Sequence, residues 1–252
     1  MGTAQSKNLM QELKLTGMLE SYENSLSSAM AGGVSHSDFL DLLLQSEYDW
    51  RKRRSVENKI KTSKIPHRRV FEDFDYTANR SITKAQIKDL MTLKWLDQGR
   101  PILLIGQTGV GKSFIAEAIA MQACRNGKTS LWLDISAFLE ALSLSRTSGT
   151  YIKLREKLSR PDILCLDDFG MRKLTSTEAQ DLCELLEMRQ DRKSTIITTQ
   201  LPIDHWEEVI EDPVIADAVK DRLRHAALVF NLTGETYRAV KAKKLDGGDL
   251  RK

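Results

Sequence analysis

Gly106-Gln107-Thr108-Gly109-Val110-Gly111-Lys112-Ser113 matches the phosphate-binding pattern G-x-x-x-x-G-K-[ST] at every fixed position. Its flanks agree with it. Pro101-Ile102-Leu103-Leu104-Ile105 is an apolar run of strand length, and residues 114–121 continue as a helical pattern. A strand–loop–helix unit turns several backbone N–H groups toward one point and adds the positive end of a helix dipole. Such a loop binds the phosphates of a nucleoside triphosphate. Gly106, Gln107, Thr108, Gly109, Val110, Gly111, Lys112, Ser113 and Phe114 are the expected nucleotide contacts. Lys112 neutralises the β- and γ-phosphates, and Ser113 offers its hydroxyl to Mg²⁺. The competing reading is a chance glycine-rich turn, which leaves both flanks unexplained.

Downstream, strand and helix patterns alternate. Strands are expected near 130–135, 162–168, 194–200 and 228–231, with helices near 137–144, 151–158, 176–190 and 214–225. This βαβ rhythm predicts an α/β domain: a parallel sheet with helices on both faces. Upstream, the chain has a different character. An apolar stripe at Leu9, Leu13, Leu19, Tyr22 and Leu26 ends at Ala31-Gly32-Gly33. A second stripe follows at Leu40, Leu43, Leu44 and Trp50, with Glu47 as a polar interruption. The expected organisation is a helical domain over 1–65, a connector over 66–99 and the α/β domain over 100–252.

Charge is segregated within the helical region. Residues 1–50 carry seven acids against two bases, and residues 51–69 carry nine bases against one acid. The basic block (Arg51, Lys52, Arg53, Arg54, Lys59, Lys61, Lys64, Arg68, Arg69) can follow a nucleic-acid backbone, releasing counterions from each phosphate it neutralises. A solvated helix face or a basic linker is the competing reading. Cys124, Cys165 and Cys183 are widely spaced in apolar patterns, without a CxxC pair. Buried free thiols in a reducing cytoplasm are therefore expected, rather than a zinc site. No signal-peptide pattern opens the chain and no apolar stretch suits a membrane span.

Ile163-Leu164-Cys165-Leu166-Asp167-Asp168 is an apolar strand ending in two acids, the Walker B pattern. Open α/β sheets bind ligands at the carboxyl ends of their strands, which brings these acids to the phosphate loop. Asp167 is the expected Mg²⁺ ligand, directly or through water, and Asp168 the general base toward the attacking water. Two adjacent carboxylates at a buried strand end are costly unless a cation or donors meet them. A capping or turn role competes, and suits Asp168 better than Asp167.

The extra strand between the two phosphate-site motifs resembles the RecA/AAA+ branch of phosphate-loop proteins. That resemblance implies the sheet order 5-1-4-3-2 and a polar sensor after the next strand. Gln200 stands there, with Thr199 as the fallback, although close relatives carry Asn. Residues 217–225, Asp-Ala-Val-Lys-Asp-Arg-Leu-Arg-His, are similar to the AAA+ segment that bears the arginine finger. Arg222 fits the Asp-Arg-Leu core. As a finger it acts on ATP held by a neighbouring subunit; the competing role is an ion pair with Asp217 or Asp221. Arg238, in Gly234-Glu235-Thr236-Tyr237-Arg238, either contacts phosphate as a second sensor or docks the C-terminal helix.

Taken with Leu13-Lys14-Leu15-Thr16-Gly17-Met18, residues 71–75 and Leu166-Asp167-Asp168-Phe169-Gly170, these motifs resemble the IstB-like ATP-binding proteins. Those are helper ATPases of bacterial insertion sequences, related to DnaC-type helicase loaders in the AAA+ initiator clade. The resemblance implies an AAA+ P-loop NTPase with a reduced lid, since the chain after the last strand is too short for three lid helices. It implies a cytoplasmic ATPase that uses ATP and Mg²⁺ at subunit interfaces and assembles as a homo-oligomer on duplex DNA. Target-site selection and recruitment and stimulation of a partner transposase follow from the same resemblance. One alternative is a replicative helicase loader. A small-molecule kinase is disfavoured by the tandem acids, the extra strand and Arg222.

Overall fold

The N-terminal helices pack around a carboxylate, not only around leucines. Cα packing divides the chain into two compact units, Met1–Asn58 and Lys59–Lys252. The first contains α1 (Gly2–Glu12), α2 (Thr16–Met30) and most of α3 (His36–Thr62). The stripe from Leu9 to Leu26 is broken: Lys14 takes a left-handed backbone at φ +55°. Leu9 and Leu13 face solvent, and the small core is Met18, Tyr22 and Leu43. Glu47, the polar interruption of the second stripe, is 6% exposed. Its carboxylate accepts the Met18 N–H at 3.1 Å and pairs with Arg51 Nε at 2.7 Å. Helix N-termini leave N–H groups without partners, and an acid there is favoured by the dipole. Burial pushes the Glu47 carboxyl up, but Arg51 and the N–H groups of Met18 and Gly17 outweigh it and hold it below its ordinary value. Gly17 makes the approach possible, because a Cβ there meets Ser46 O and Trp50 Cβ at 2.6 Å.

In this computed structural model, which describes residues 2–76, 81–224, 226–234 and 236, the second unit is built on a sheet. Leading into it, Phe71 and Phe74 are buried, and α4 (Lys84–Met91) begins with a Thr83/Gln86 capping box. The short α5 (Lys94–Asp97) follows. The strands are β1 (Ile102–Gly106), β2 (Ser130–Asp134), β3 (Ile163–Phe169), β4 (Ser194–Thr199) and β5 (Leu228–Leu232). Every pairing is parallel and the order is β2-β3-β4-β1-β5. Read from the other edge, this is the 5-1-4-3-2 order that the resemblance implied. The helices between them are α6 (Lys112–Arg125), α7 (Ile135–Thr147), α8 (Tyr151–Ser159), α9 (Ser176–Arg189) and α10 (Pro213–Arg224).

Alternate strand residues divide between two cores, as a parallel sheet covered on both faces requires. Ile102, Leu104, Ile163, Cys165 and Ile196 join one core with Ile115, Ala116 and Ile119 of α6. Leu103, Ile105, Leu164, Leu166 and Ile197 join the other with residues of α7, α9 and α10. Residues 59–74 fall within this unit. They cover the β2 edge, where Ser63 O accepts the Trp132 N–H at 2.7 Å. Arg189 is 1% exposed and clips the starts of two strands together. Its guanidinium donates to Thr195 Oγ1 and to the carbonyls of Leu158, Ser159, Pro161 and Ser194. All three cysteines are free and buried. Among the described residues no helix is long and apolar enough to cross a membrane.

Candidate nucleotide site

Where β1 ends, Gly109 and Gly111 take φ +85° and +107°, a backbone that L side chains rarely adopt. The loop thereby curls over the start of α6. Lys112 is 5% exposed and lies back across it, Nζ donating to Gly106 O at 2.8 Å and Gln107 O at 3.0 Å. Burial lowers the Lys112 pKa, opposed by the charges of Asp168 and Asp167. Thr108, Gly109, Gly111, Lys112, Ser113 and Phe114 form one wall of a cavity of about 490 Å³, within the ordinary range for small-molecule sites. Val110 is buried beneath the loop.

Asp167 and Asp168 form the facing wall. Ser113 Oγ donates to Asp167 Oδ1 at 3.1 Å, setting two hard oxygens side by side. Among the described residues no group of three or more His, Cys, Asp or Glu could hold a metal ion. A two-oxygen set fits Mg²⁺, which keeps waters and takes the rest of its ligands from substrate phosphates. Asp167 titrates above its ordinary value: burial leads, Thr198 and Ser113 oppose it through hydrogen bonds, and the charges of Asp168 and Glu117 add to it.

Adjacent residues of a strand point to opposite faces, so two neighbouring acids do not automatically share a site. Here a bulge brings them together. Leu166 pairs with Ile197 and Phe169 with Thr199, leaving Asp167 and Asp168 opposite Thr198 alone. Asp168 takes a left-handed backbone at φ +59°. Phe169 then fills the position beyond Leu166 in the core facing α7 and α9. Thr198 is 1% exposed; its hydroxyl accepts the Asp168 N–H at 3.0 Å and donates to Asp167 Oδ1.

In the remaining wall, Glu117, His67 and Arg69 were not expected at this site. Glu117, one helical turn beyond Ser113, is 1% exposed. It accepts the His67 N–H at 3.2 Å and lies 3.9 Å from Arg69 Nε. Arg69 stacks over the Phe114 ring at 5.6 Å, and Phe74 packs on the same ring at 5.7 Å. His67, Arg69, Asp73 and Asp75 thus line the cavity, and one of the bases expected at DNA sits beside the phosphate loop. The two Phe side chains are core, while Asp73 and Asp75 line the cavity and Glu72 pairs with Arg125.

Other expected site residues lie elsewhere. Thr199 turns its hydroxyl to the Leu201 N–H, and exposed Gln200 reaches Met171 Sδ at 3.3 Å. Neither lines the cavity. Arg222 is bound to Ala218 O and to Glu187 of α9, rather than to Asp217 or Asp221. Arg224 pairs with Asp204. Arg238 lies outside the described residues, as does most of the chain after β5 in which the reduced lid was expected. Arg51, Lys52, Arg53 and Arg54 are all exposed on α3. Four successive helical residues point about 100° apart, so they do not form one face. Lys52 lies over Tyr48 and Arg54 over Trp50. Lys61, Lys64 and Arg68 are exposed, and Lys59 is half-buried.

The profile of the family described as IstB-like ATP binding protein matches residues 8–245. The chain belongs to the IstB-like ATP-binding protein family. The protein y4pL of Sinorhizobium fredii, named as an insertion sequence ATP-binding protein, is 36% identical over 230 residues, covering 91% of this chain and 94% of that one. Among solved structures, the DnaC helicase loader is similar at a TM-score of 0.53 and 18% identity, over 59% of this chain and 87% of that one. DnaA bound to AMPPCP and single-stranded DNA is similar at 0.58 and 16% identity, over 75% and 58%. These likenesses are of fold: a parallel five-stranded sheet covered by helices, with the phosphate loop after its first strand. ATP binding is the property its family carries in its name.

Proposed function

We propose that this IstB-like protein is an Mg²⁺-dependent ATPase that binds duplex DNA and regulates transposition of an insertion sequence. The cavity carries the reading: one phosphate loop, one lysine and two convergent carboxylates meet in it. Gly106 to Phe114 hold the nucleotide, Ser113 and Asp167 hold the cation, and Asp168 accepts the proton of the attacking water. Bound Mg²⁺ supplies charge neutralisation at the transferring phosphate. Lys112 turns from its two carbonyls to the phosphates. Gln200, with Thr199 as its fallback, remains the candidate first sensor of this reading, and Arg238 the candidate second one. Arg222 serves a neighbouring subunit's ATP once it leaves Glu187, which makes the active species a homo-oligomer. In this reading residues 1–65 serve DNA binding and self-association, 66–99 form a connector packed with the ATPase core, and 100–252 carry the ATPase.

In this reading Arg51–Arg54 together with Lys59, Lys61, Lys64 and Arg68 contact the DNA backbone, while Arg69 stays at the nucleotide cavity. The relatives are named for insertion sequences and ATP binding, and within that setting this reading assigns the protein target selection and recruitment of a partner transposase. The test is sedimentation on random duplex DNA with no nucleotide, ADP, ATP or a non-hydrolysable analogue, with Lys112→Ala as control. Large cooperative complexes are expected only with ATP or the analogue, and only in the wild type. A protein that stays small and ignores duplex DNA in every state refutes the reading and redirects the search to a helicase partner.

A further inference from the structure

We infer that the Thr198 hydroxyl is a positioning group of the nucleotide site: it holds the Asp167–Asp168 bulge so that both carboxylates face the phosphate loop. The inference deepens the ATPase reading and rests on it for its functional consequence.

The geometry follows from the two cores. Ile163 and Cys165 of β3 face the α6 side, and Leu164 and Leu166 face the other. An unbroken strand continues that alternation, with Asp167 toward α6 and Asp168 into the apolar core behind the sheet. Burying a carboxylate among leucines is prohibitive. The bulge hands that core position to Phe169 and leaves Asp168 on the cavity side. β4 has the same alternation: Ile196 faces α6 and Ile197 the other core, so Thr198 falls beside Asp167. A hydroxyl has one proton to give and lone pairs to receive. Thr198 uses both, giving to Asp167 Oδ1 and receiving from the Asp168 N–H. A single side chain therefore satisfies the extruded backbone and orients the carboxylate that also receives Ser113. A left-handed Asp168 persists only where its surroundings over-determine it, and this pair of bonds does so.

The test uses the full chain as wild type and as Thr198→Val, Thr198→Ala and Thr198→Ser. Val keeps the branched shape without the hydroxyl, and Ser and Ala differ by one oxygen, so the comparison survives poor folding of any single variant. The first readout needs no nucleotide: amide exchange of the Asp168 N–H in the free protein. It is expected to speed up by about tenfold or more in Val and Ala and to stay near wild type in Ser, as loss of a buried hydrogen bond requires. The second readout is binding of a fluorescent non-hydrolysable ATP analogue with EDTA and with Mg²⁺. Val and Ala are expected to bind the metal-free analogue within about twofold of wild type but to lose roughly tenfold of the gain that Mg²⁺ brings, with Ser restoring it. Wild-type exchange and a wild-type Mg²⁺ gain in Val and Ala overturn the inference, and so does a Ser variant that fails to restore them. A wild type that binds no nucleotide in either condition defeats the ATPase reading instead, while the exchange measurement still decides the role of Thr198.

Discussion

Lys112→Met tests the nucleotide site most directly. The substitution keeps an unbranched side chain of similar reach and removes the ammonium. In the free loop that ammonium is 5% exposed and gives hydrogen bonds to Gly106 O and Gln107 O. Two charge-assisted bonds to phosphate are worth about 1.5–3 kcal/mol each, and each carbonyl contact surrendered costs about 1 kcal/mol. The difference centres near 2.5 kcal/mol, a roughly 70-fold loss of affinity. At a ligand concentration 100 times the wild-type Kd, linkage stabilises the wild type by about 2.7 kcal/mol. For a chain of this size that is a rise in Tm of about 5–11 °C. The variant retains about 0.5 kcal/mol, or roughly 1–2 °C. The assay is thermal unfolding with and without ATP and Mg²⁺. Without ligand the variant should unfold near the wild type, because losing two hydrogen bonds is offset by no longer burying a charge. A folded Lys112→Met protein with the full wild-type shift would place nucleotide binding somewhere other than this loop.

Arg189→Met strips five acceptors of their donor while relieving the burial that already lowers this guanidinium to about pKa 10. A loss of about 3–5 kcal/mol is expected in urea unfolding, and a loss under about 1 kcal/mol contradicts the account of the clip. Asp167→Asn should stabilise the free protein at neutral pH, because burial first, then Asp168, raises the Asp167 pKa above its ordinary 3.8. Between that value and the raised folded value the native state binds more protons than the unfolded one, so wild-type stability rises as pH falls through this window. The advantage of the variant is therefore full above the raised folded value and shrinks as pH falls from there toward 3.8; a pH-independent gap in urea titrations argues against a raised Asp167.

The periodicity of the chain specified much of the molecule. Apolar runs placed five strands to within a residue, because a strand buried on both faces leaves no other composition, and located the helices between them, two of which run three to four residues further than their pattern showed. The phosphate loop is a local structure whose glycines, lysine and serine act within eight consecutive residues, so it was visible without any tertiary information. Sheet order came from resemblance rather than from local pattern. Non-local pairings were not visible. The Glu47 interruption read as a flaw in a stripe until α2 was seen to end on it. Gln200 and Thr199 were chosen for their place in a motif, while strand alternation puts Thr198 on the face of Asp167. That signal was present in the sequence, in the order Ile196-Ile197-Thr198 against Cys165-Leu166-Asp167, but its use requires the register of β3 on β4. Arg69 looked like one more base in a run, and only the packing of residues 59–74 against α6 brings it to Phe114. The sequence by itself determined which residues can bind phosphate and which can be buried, since those follow from side-chain chemistry and spacing. The tertiary structure decided which acids share a face and what holds them there, because a bulge and a buried hydroxyl depend on a partner strand about 30 residues away.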